Sequence, residues 1–145
     1  MIETVAEHNL EALLPLIGQY QAFYKATGVS DETNRQFFAQ FGESNPSGCQ
    51  FLFRKDQHVV GFATVYFSYA STLPAKVAVL NDLYTVPAAR SQGVARQLIE
   101  HCRSYALSQG AVRLQWLTAV DNEPAQQLYD SMNCKRSNWL FYSYP

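Results

Sequence analysis

The sequence of 145 residues predicts an α/β fold, with a mixed, mostly antiparallel central sheet flanked by helices. Two strand-like segments, 50–54 and 59–69, are separated by a four-residue turn, which is typical of an antiparallel hairpin. A β-branched segment, 76–87, is followed by a helical pattern and by a further strand-like segment, 111–120, which together predict a strand–helix–strand crossover. With 48% apolar and 16% charged residues, the chain can bury one substantial core, so we expect a single domain over residues 1–145.

The N-terminal quarter predicts one short strand and two helices. Residues 1–4 can form an edge strand. Residues 6–26 carry apolar side chains at steps of three and four, which predicts an amphipathic helix that Pro15 can kink. Ser30 opens a capping-box pattern for a second helix that ends at Gly42.

The C-terminal half predicts two helices and two further strand-like segments. The first helix follows the strand at 76–87, ends at Gly110 and has its apolar face at Val94, Leu98, Cys102 and Tyr105. Asn122 is the expected N-cap of the second, which ends near Asn133. The aromatic tail, 135–144, is strand-like and too apolar for a free edge, which predicts a homodimer built partly on it.

Composition excludes several classes of function. A net charge of −1 gives no electrostatic reason to expect nucleic acid or an anionic membrane as a partner. The longest apolar runs are far shorter than a membrane span, and the N-terminus has no signal-peptide pattern. Three cysteines and three histidines are too scattered to indicate a disulfide framework or a metal site. We expect a reducing, cytoplasmic location.

The turn between the strand at 76–87 and the next helix has the features of an anion site. Gly93 stands at the helix start, where four N–H groups lack helical partners, and Ser91 is the only capping side chain on offer. Such a terminus attracts phosphate through aimed donors and a partial positive charge. The turn is neither a Gly-x-Gly-x-x-Gly motif nor a P-loop, so neither a dinucleotide nor a nucleotide site of those kinds is indicated.

Two motifs together resemble the GNAT superfamily of acetyl-CoA-dependent N-acetyltransferases. Its phosphate-binding signature, Gln/Arg-x-x-Gly-x-Gly/Ala, is matched by Arg90, Gly93 and Ala95. Its later signature, Asn-x-x-Ala-x-x-Leu/Phe-Tyr, is matched by Asn122, Ala125, Leu128 and Tyr129. The element order agrees from about Gly48 to the end, and segments 81–87 and 122–125 look most like those of the diamine and other small-amine acetyltransferases.

The resemblance implies acetyl-CoA as a co-substrate and assigns residues to it. Backbone N–H groups of Gln92 to Ala95 would hold the pyrophosphate, with Arg90 or Arg96 adding charge. Leu83, Tyr84 and Thr85 would pair with the pantetheine arm as an added strand does, and Asn122 would hydrogen-bond that arm. The full set of predicted binding residues is Leu83, Tyr84, Thr85, Arg90, Ser91, Gln92, Gly93, Val94, Ala95, Arg96 and Asn122.

Two further residues are the candidates for proton transfer. Tyr129 can donate a proton to the departing thiolate, and Asp82, with ordered water, can take one from the amine. The alternatives are a core tyrosine and a solvated or salt-bridged carboxylate. Two departures from the family matter: Val79 stands where protein-directed relatives carry a glutamate base, and Asn81-Asp82 stands where diamine relatives carry two acids.

The function predicted is transfer of acetyl from acetyl-CoA to a primary amine of a small molecule, by direct attack. The alternatives are a protein lysine or N-terminal acetyltransferase, and a non-catalytic acyl-CoA sensor. A set of six aromatic side chains is interpreted as part of the core. The alternative is an acceptor pocket that holds a cation against ring faces. The set comprises Tyr20, Phe23, Tyr24, Phe37, Phe38 and Phe41.

Overall fold

A computed structural model of the chain describes residues 1–145. One sheet and four helices make up the fold, together with a single 3-10 turn over Pro87–Ala89. The strands are β1 (Ile2–Thr4), β2 (Gly48–Lys55), β3 (His58–Ala70), β4 (Ala75–Thr85) and β5 (Leu114–Gln115). The helices are α1 (Leu10–Phe23), α2 (Asp31–Phe38), α3 (Val94–Ser108) and α4 (Glu123–Ser131). No helix combines the length and the apolar character needed to cross a membrane.

The sheet has the strand order β1-β2-β3-β4-β5, so neighbours in space are also neighbours in sequence. The first three pairings are antiparallel, and only β4 and β5 run parallel, with α3 as the crossover between them. This confirms the mixed, mostly antiparallel sheet. The crossover requires a helix because parallel neighbours cannot be joined by a tight turn.

An extra residue in β4 interrupts its pairing with β3. Thr64 lies opposite Asp82 and Val65 lies opposite Leu80, so Asn81 has no partner and forms a β-bulge. The bulge divides β4 into a first part bordered by β5 and a second part that lies beside the turn leading to α3.

Each face of the sheet is covered by its own apolar cluster. The cluster under α3 includes Val94, Leu98 and Cys102, which confirms the predicted inner face of that helix. The cluster under α1 and α2 includes Leu13, Ile17 and Phe38. Gly61 in β3 lets the start of α3 come close, since a Cβ there would lie 2.9 Å from both the Tyr84 carbonyl oxygen and a Val94 methyl group.

The cap of α2 agrees with the sequence, whereas the bounds of α1 and the end of α2 differ from it. The Ser30 hydroxyl accepts the Thr33 N–H at 3.1 Å, which confirms the predicted cap of α2. The helix ends at Phe38 rather than at Gly42, and α1 spans 10–23 rather than 6–26.

Two predicted strands are largely wrong. In segment 111–120 only Leu114 and Gln115 pair with β4, and Leu117 and Val120 are exposed. The tail 135–144 forms no strand, and its apolar side chains from Trp139 to Tyr142 are also exposed. Both segments have strand-like composition, but neither meets a neighbouring edge along its length, and strand propensity depends on that packing.

Candidate active site

The second part of β4 has a free edge. Its pairing with β5 is limited to Ala78 and Val79, whereas its pairing with β3 continues to Thr85. From Leu80 to Thr85 the edge away from β3 therefore faces no strand. Such an edge presents unpaired backbone N–H and C=O groups, which an extended ligand that carries amides can join as an additional strand.

The turn after β4 holds a set of free N–H donors. Those of Ser91, Gln92 and Gly93 donate to no backbone or side-chain acceptor, and the first N–H groups of α3 have no helical acceptor. Ser91 and Gly93 both have positive φ angles, 61° and 83°, and no side chain caps the helix. Ser91 therefore does not act as the cap that its position suggested. The donors remain available to an anion at the helix N-terminus.

Glycine at position 93 is required by its backbone conformation, because φ near 83° is strained for any residue with a Cβ. Packing does not require it: a Cβ there would meet nothing closer than the Gln97 amide nitrogen at 3.8 Å. The space in front of the turn is therefore open, as the approach of a phosphate group needs.

Two arginines border the same turn. The Arg90 Nε donates to the Thr85 carbonyl oxygen at 3.1 Å, and its guanidinium lies 5.9 Å from the centre of the Tyr84 ring. Arg96 donates one N–H group to the Ser131 Oγ at 2.7 Å. Each guanidinium has five N–H donors, so these contacts orient the side chains and leave donors for a phosphate.

Helix α4 brings two predicted residues to the opposite side. The Asn122 Oδ1 accepts the Ala125 N–H at 3.4 Å, which confirms the predicted cap and leaves its amide N–H₂ free. The Tyr129 ring packs edge-on against Trp116, with ring centres 5.1 Å apart, and its hydroxyl has no hydrogen-bond partner in the protein. Burial, and after it the neighbouring Tyr24, raises the pKa of Tyr129. The phenol therefore stays protonated at neutral pH, as a proton donor must.

A cavity of about 700 Å³ joins these elements. Ten of the residues predicted for the site line it: Leu83, Tyr84, Thr85, Arg90, Ser91, Gly93, Ala95, Arg96, Asn122 and Tyr129. Gln92 and Val94 do not. The Gln92 side chain turns away to Lys55 and the Ala88 carbonyl, and Val94 is buried in the core, so each can contribute only its backbone N–H.

Asp82 also lies outside the cavity lining. Its side chain is 7% exposed and makes no salt bridge, so the solvated or salt-bridged alternative is wrong. Burial raises the pKa of the carboxyl, and hydrogen bonds from Thr64, Tyr20 and Asn81 oppose that rise. A carboxyl with a raised pKa is a stronger base than an exposed one, which suits proton abstraction near neutral pH.

The aromatic group predicted mainly as core divides in two. Phe38 is buried, but Phe23, Tyr24 and Phe37 are 58%, 60% and 46% exposed, so the core interpretation is wrong for these three. Tyr20, Phe23 and Tyr24 line the cavity instead, packed edge-to-face about Tyr24 with ring centres 5.0 and 5.1 Å apart. The acceptor-pocket alternative therefore fits the end of α1.

Sequence reasoning missed several residues of the cavity wall, among them Trp116 and Asn81. Trp116 follows directly after β5 and supports Tyr129, and Asn81 is the bulge residue beside the free edge. Trp116 fell within a segment predicted as continuous strand. For Asn81 the sequence offered one signal, because Asn81 and Asp82 are two adjacent polar residues within an apolar strand.

Comparison with known proteins agrees with this geometry. The model of the GNAT acetyltransferase family matches residues 14–133, most of the chain. The chain belongs to the GNAT family. This acetyltransferase is 29% identical over 143 residues to the D-amino-acid N-acetyltransferase HPA3 of Saccharomyces cerevisiae, covering 97% of the chain and 88% of that protein. It is also 29% identical over 119 residues to the uncharacterized N-acetyltransferase YhfO of Bacillus subtilis, covering 82% and 78%.

Solved structures give the same fold. The crystal structure of a probable acetyltransferase superposes on this GNAT enzyme with a TM-score of 0.85 and 30% identity, covering 100% of the chain and 97% of that protein. The aminoglycoside acetyltransferase AAC(6')-Iy, solved with a bisubstrate analogue of CoA, has a TM-score of 0.81 at 19% identity, covering 100% and 97%. At 19% identity, this similarity is evidence for a shared fold alone.

Proposed function

We propose that this enzyme transfers acetyl from acetyl-CoA to a primary amine of a small molecule, by direct attack of the amine. One observation carries the proposal: a single cavity joins the free edge of β4, the free N–H groups after it and the hydroxyl of Tyr129. These are the three features that an amide-bearing arm, a pyrophosphate and a leaving thiolate require.

The donor end fits acetyl-CoA by charge and by shape. The pyrophosphate is held by the N–H groups of residues 91–96 and by the spare donors of Arg90 and Arg96. The pantetheine arm lies along Leu83 to Thr85 and pairs with the free backbone groups there, with the Asn122 amide on its other side. A backbone N–H at this edge also stabilises the oxyanion that forms at the acetyl carbon.

The chemistry then needs two proton transfers. The neutral amine attacks the acetyl carbon, the C–S bond breaks, and Tyr129 gives its phenolic proton to the thiolate as it leaves. An alkylamine with a pKa near 10.4 is only about one part in two to three thousand neutral at pH 7, a deficit of roughly 4.6 kcal/mol. Asp82 is the base that removes the excess proton, because burial has raised its pKa.

The acceptor end is the aromatic wall at the end of α1. Tyr20, Phe23 and Tyr24 present ring faces and edges to the cavity, and rings attract an alkylammonium ion through their electrostatic quadrupole. By their names, the D-amino-acid N-acetyltransferase HPA3 and a thialysine N-epsilon-acetyltransferase of Caenorhabditis elegans, 27% identical to this chain over 145 residues, act on small molecules with a primary amine. Val79, where a glutamate base would stand in protein-directed relatives, weakens the protein-acceptor alternative.

The test is acetyl-CoA consumption with a panel of amines. D-amino acids, thialysine, aliphatic diamines and an aminoglycoside form the panel, and a lysine-containing peptide represents protein acceptors. We expect turnover with at least one small amine and slower turnover with the peptide. Binding of acetyl-CoA by calorimetry without turnover of any amine would instead identify a non-catalytic sensor.

We also propose a cytoplasmic homodimer. All three cysteines are free, and Cys49 and Cys102 are buried, as is usual where thiols stay reduced. The side chains of Trp139, Leu140 and Phe141 are each more than three-quarters exposed. Three adjacent apolar side chains of this size favour burial against a second copy.

A further inference from the structure

The buried position of Asp82 leaves a gap between the base and its substrate. The carboxylate is 7% exposed, and the cavity wall beside it is formed by Asn81 and Tyr20. An amine in the cavity therefore meets these two residues before it can meet the carboxylate. A proton that moves from the amine to Asp82 must therefore pass through a group that lies between the amine and the carboxylate.

Tyr20 occupies that position. Its ring is held edge-on by Phe62 and Tyr84, with ring centres 5.6 and 6.1 Å away, and it lines the cavity from α1. Its hydroxyl donates to the backbone carbonyl of Asn81 at 3.5 Å, the long limit for a hydrogen bond. Asp82 follows Asn81 directly, and its carboxylate lies close enough to raise the pKa of Tyr20, so a rotation about the C–O bond can turn the O–H from the Asn81 carbonyl towards that carboxylate.

The residues behind Asp82 fix the direction in which its carboxylate can accept a proton. Gln50 and Thr64 are both completely buried, and the Gln50 Nε2 donates to the Thr64 Oγ1 at 3.1 Å. Because that oxygen accepts from Gln50, its own proton is free for Asp82, which lies opposite Thr64 in the sheet register. The carboxylate is therefore held from behind, and its remaining acceptor capacity faces Tyr20 and Asn81.

We propose that Tyr20 is a catalytic residue that relays the acceptor's proton to Asp82, with Thr64 and Gln50 as positioning residues. The ammonium N–H gives its proton to the Tyr20 oxygen while the Tyr20 O–H proton passes to the Asp82 carboxylate. The amine nitrogen regains its lone pair, Asp82 becomes a carboxylic acid, and Tyr20 ends with one proton, as it began. No atom or electron pair is left unbalanced.

The electrostatic setting agrees with a relay through a neutral phenol. Burial, followed by the charge of Asp82, raises the pKa of Tyr20, so the phenolate is not a stable intermediate. The titratable groups that face Asp82 are Tyr20 from α1 and Tyr66 from β3, and Tyr66 makes no hydrogen bond to it. Tyr66 is therefore a matched phenol that lies near the carboxylate but outside the relay.

The relay rests on the proposed function, so the experiment begins with wild-type enzyme and an amine that it acetylates. Tyr20→Phe and Tyr66→Phe are compared by kcat/KM from pH 6 to pH 10, with circular dichroism and acetyl-CoA affinity as checks of folding. For Tyr20→Phe we expect a loss of about 10²-fold at pH 7 that shrinks as pH approaches the amine's own pKa. Tyr66→Phe should stay within about twofold of wild type.

Thr64→Val provides a second readout that does not remove the relay. Loss of its hydrogen bond should raise the pKa of Asp82 further and move the rising limb of the pH profile to higher pH. A Tyr20→Phe enzyme with the wild-type pH profile would overturn the relay, as would an equal loss at every pH. Absence of turnover by wild type with every amine would refute the proposed function itself, which is a different result.

Discussion

Replacing Asp82 by asparagine should stabilise the fold at neutral pH while it impairs catalysis. The carboxyl is 7% exposed and burial raises its pKa, so the folded chain holds the carboxylate at a cost in free energy. A carboxamide keeps polar contacts to Thr64, Tyr20 and Asn81 without the charge. The free energy of unfolding should rise by about 1.4 kcal/mol for each tenfold change in acid dissociation constant that burial imposes.

The stability gained by Asp82→Asn should depend on pH, and the direction of this dependence can be worked out. An aspartate whose folded-state pKa lies above its ordinary value near 3.8 binds its proton more tightly in the folded chain. Wild-type stability therefore falls as pH rises from about 4 through the folded-state pKa, and the full penalty applies above it. The advantage of Asp82→Asn is largest at pH 7–8 and disappears towards pH 4.

Thermal unfolding of both proteins from pH 4.5 to pH 8 measures this difference. At this chain length, 1 kcal/mol corresponds to a shift of about 3–4 °C in Tm. Glu43→Gln removes a carboxyl from the surface and serves as the control for net charge, with little expected effect. An Asp82→Asn protein that is less stable than wild type at pH 8, or a gain that does not vary with pH, would refute the reasoning.

Three further predictions concern acetyl-CoA binding, the proton-donor role of Tyr129 and the oligomeric state. Gly93→Glu should abolish acetyl-CoA binding in calorimetry, whereas Gly110→Glu, which imposes the same positive-φ strain far from the cavity, should cost stability alone. Tyr129→Phe should lower kcat by roughly 10²–10³ with acetyl-CoA affinity unchanged; full turnover at every pH would make the residue a packing tyrosine. The doubly substituted Trp139→Ser/Phe141→Ser protein should be monomeric by light scattering at micromolar concentration, and a monomeric wild type would count against the dimer.

The segment from β4 to α3 could be predicted from sequence because its signals are local. A β-branched run, a proline, a glycine turn and apolar residues at helical spacing each act within a few residues. The structure accordingly has β4 at Ala75–Thr85 and α3 at Val94–Ser108, close to the expected bounds. The turn between them, which we propose binds phosphate, is placed by the same local signals.

The position of Asp82 could not be predicted, because it depends on the bulge at Asn81. Ala78 and Leu80 face α3, and strict alternation would put residue 82 on that face too. The extra residue reverses the alternation beyond it, so Asp82 and Tyr84 face α1 instead. No local pattern distinguishes a bulged strand from a regular one here.

The bulge also accounts for the closeness of the proposed donor site and the proposed base. Pairing between β4 and β5 ends at Val79, two residues before Asn81, and the unpaired edge begins there. An edge that stayed paired would leave no room for an amide-bearing arm, and a strand without the extra residue would turn Asp82 towards α3 and away from Tyr20. One inserted residue thus lies where the edge of the sheet becomes unpaired, and it directs the carboxylate towards α1 and the proposed acceptor side. Sequence changes near Asn81 should therefore alter acetyl-CoA affinity and the pH dependence of turnover together.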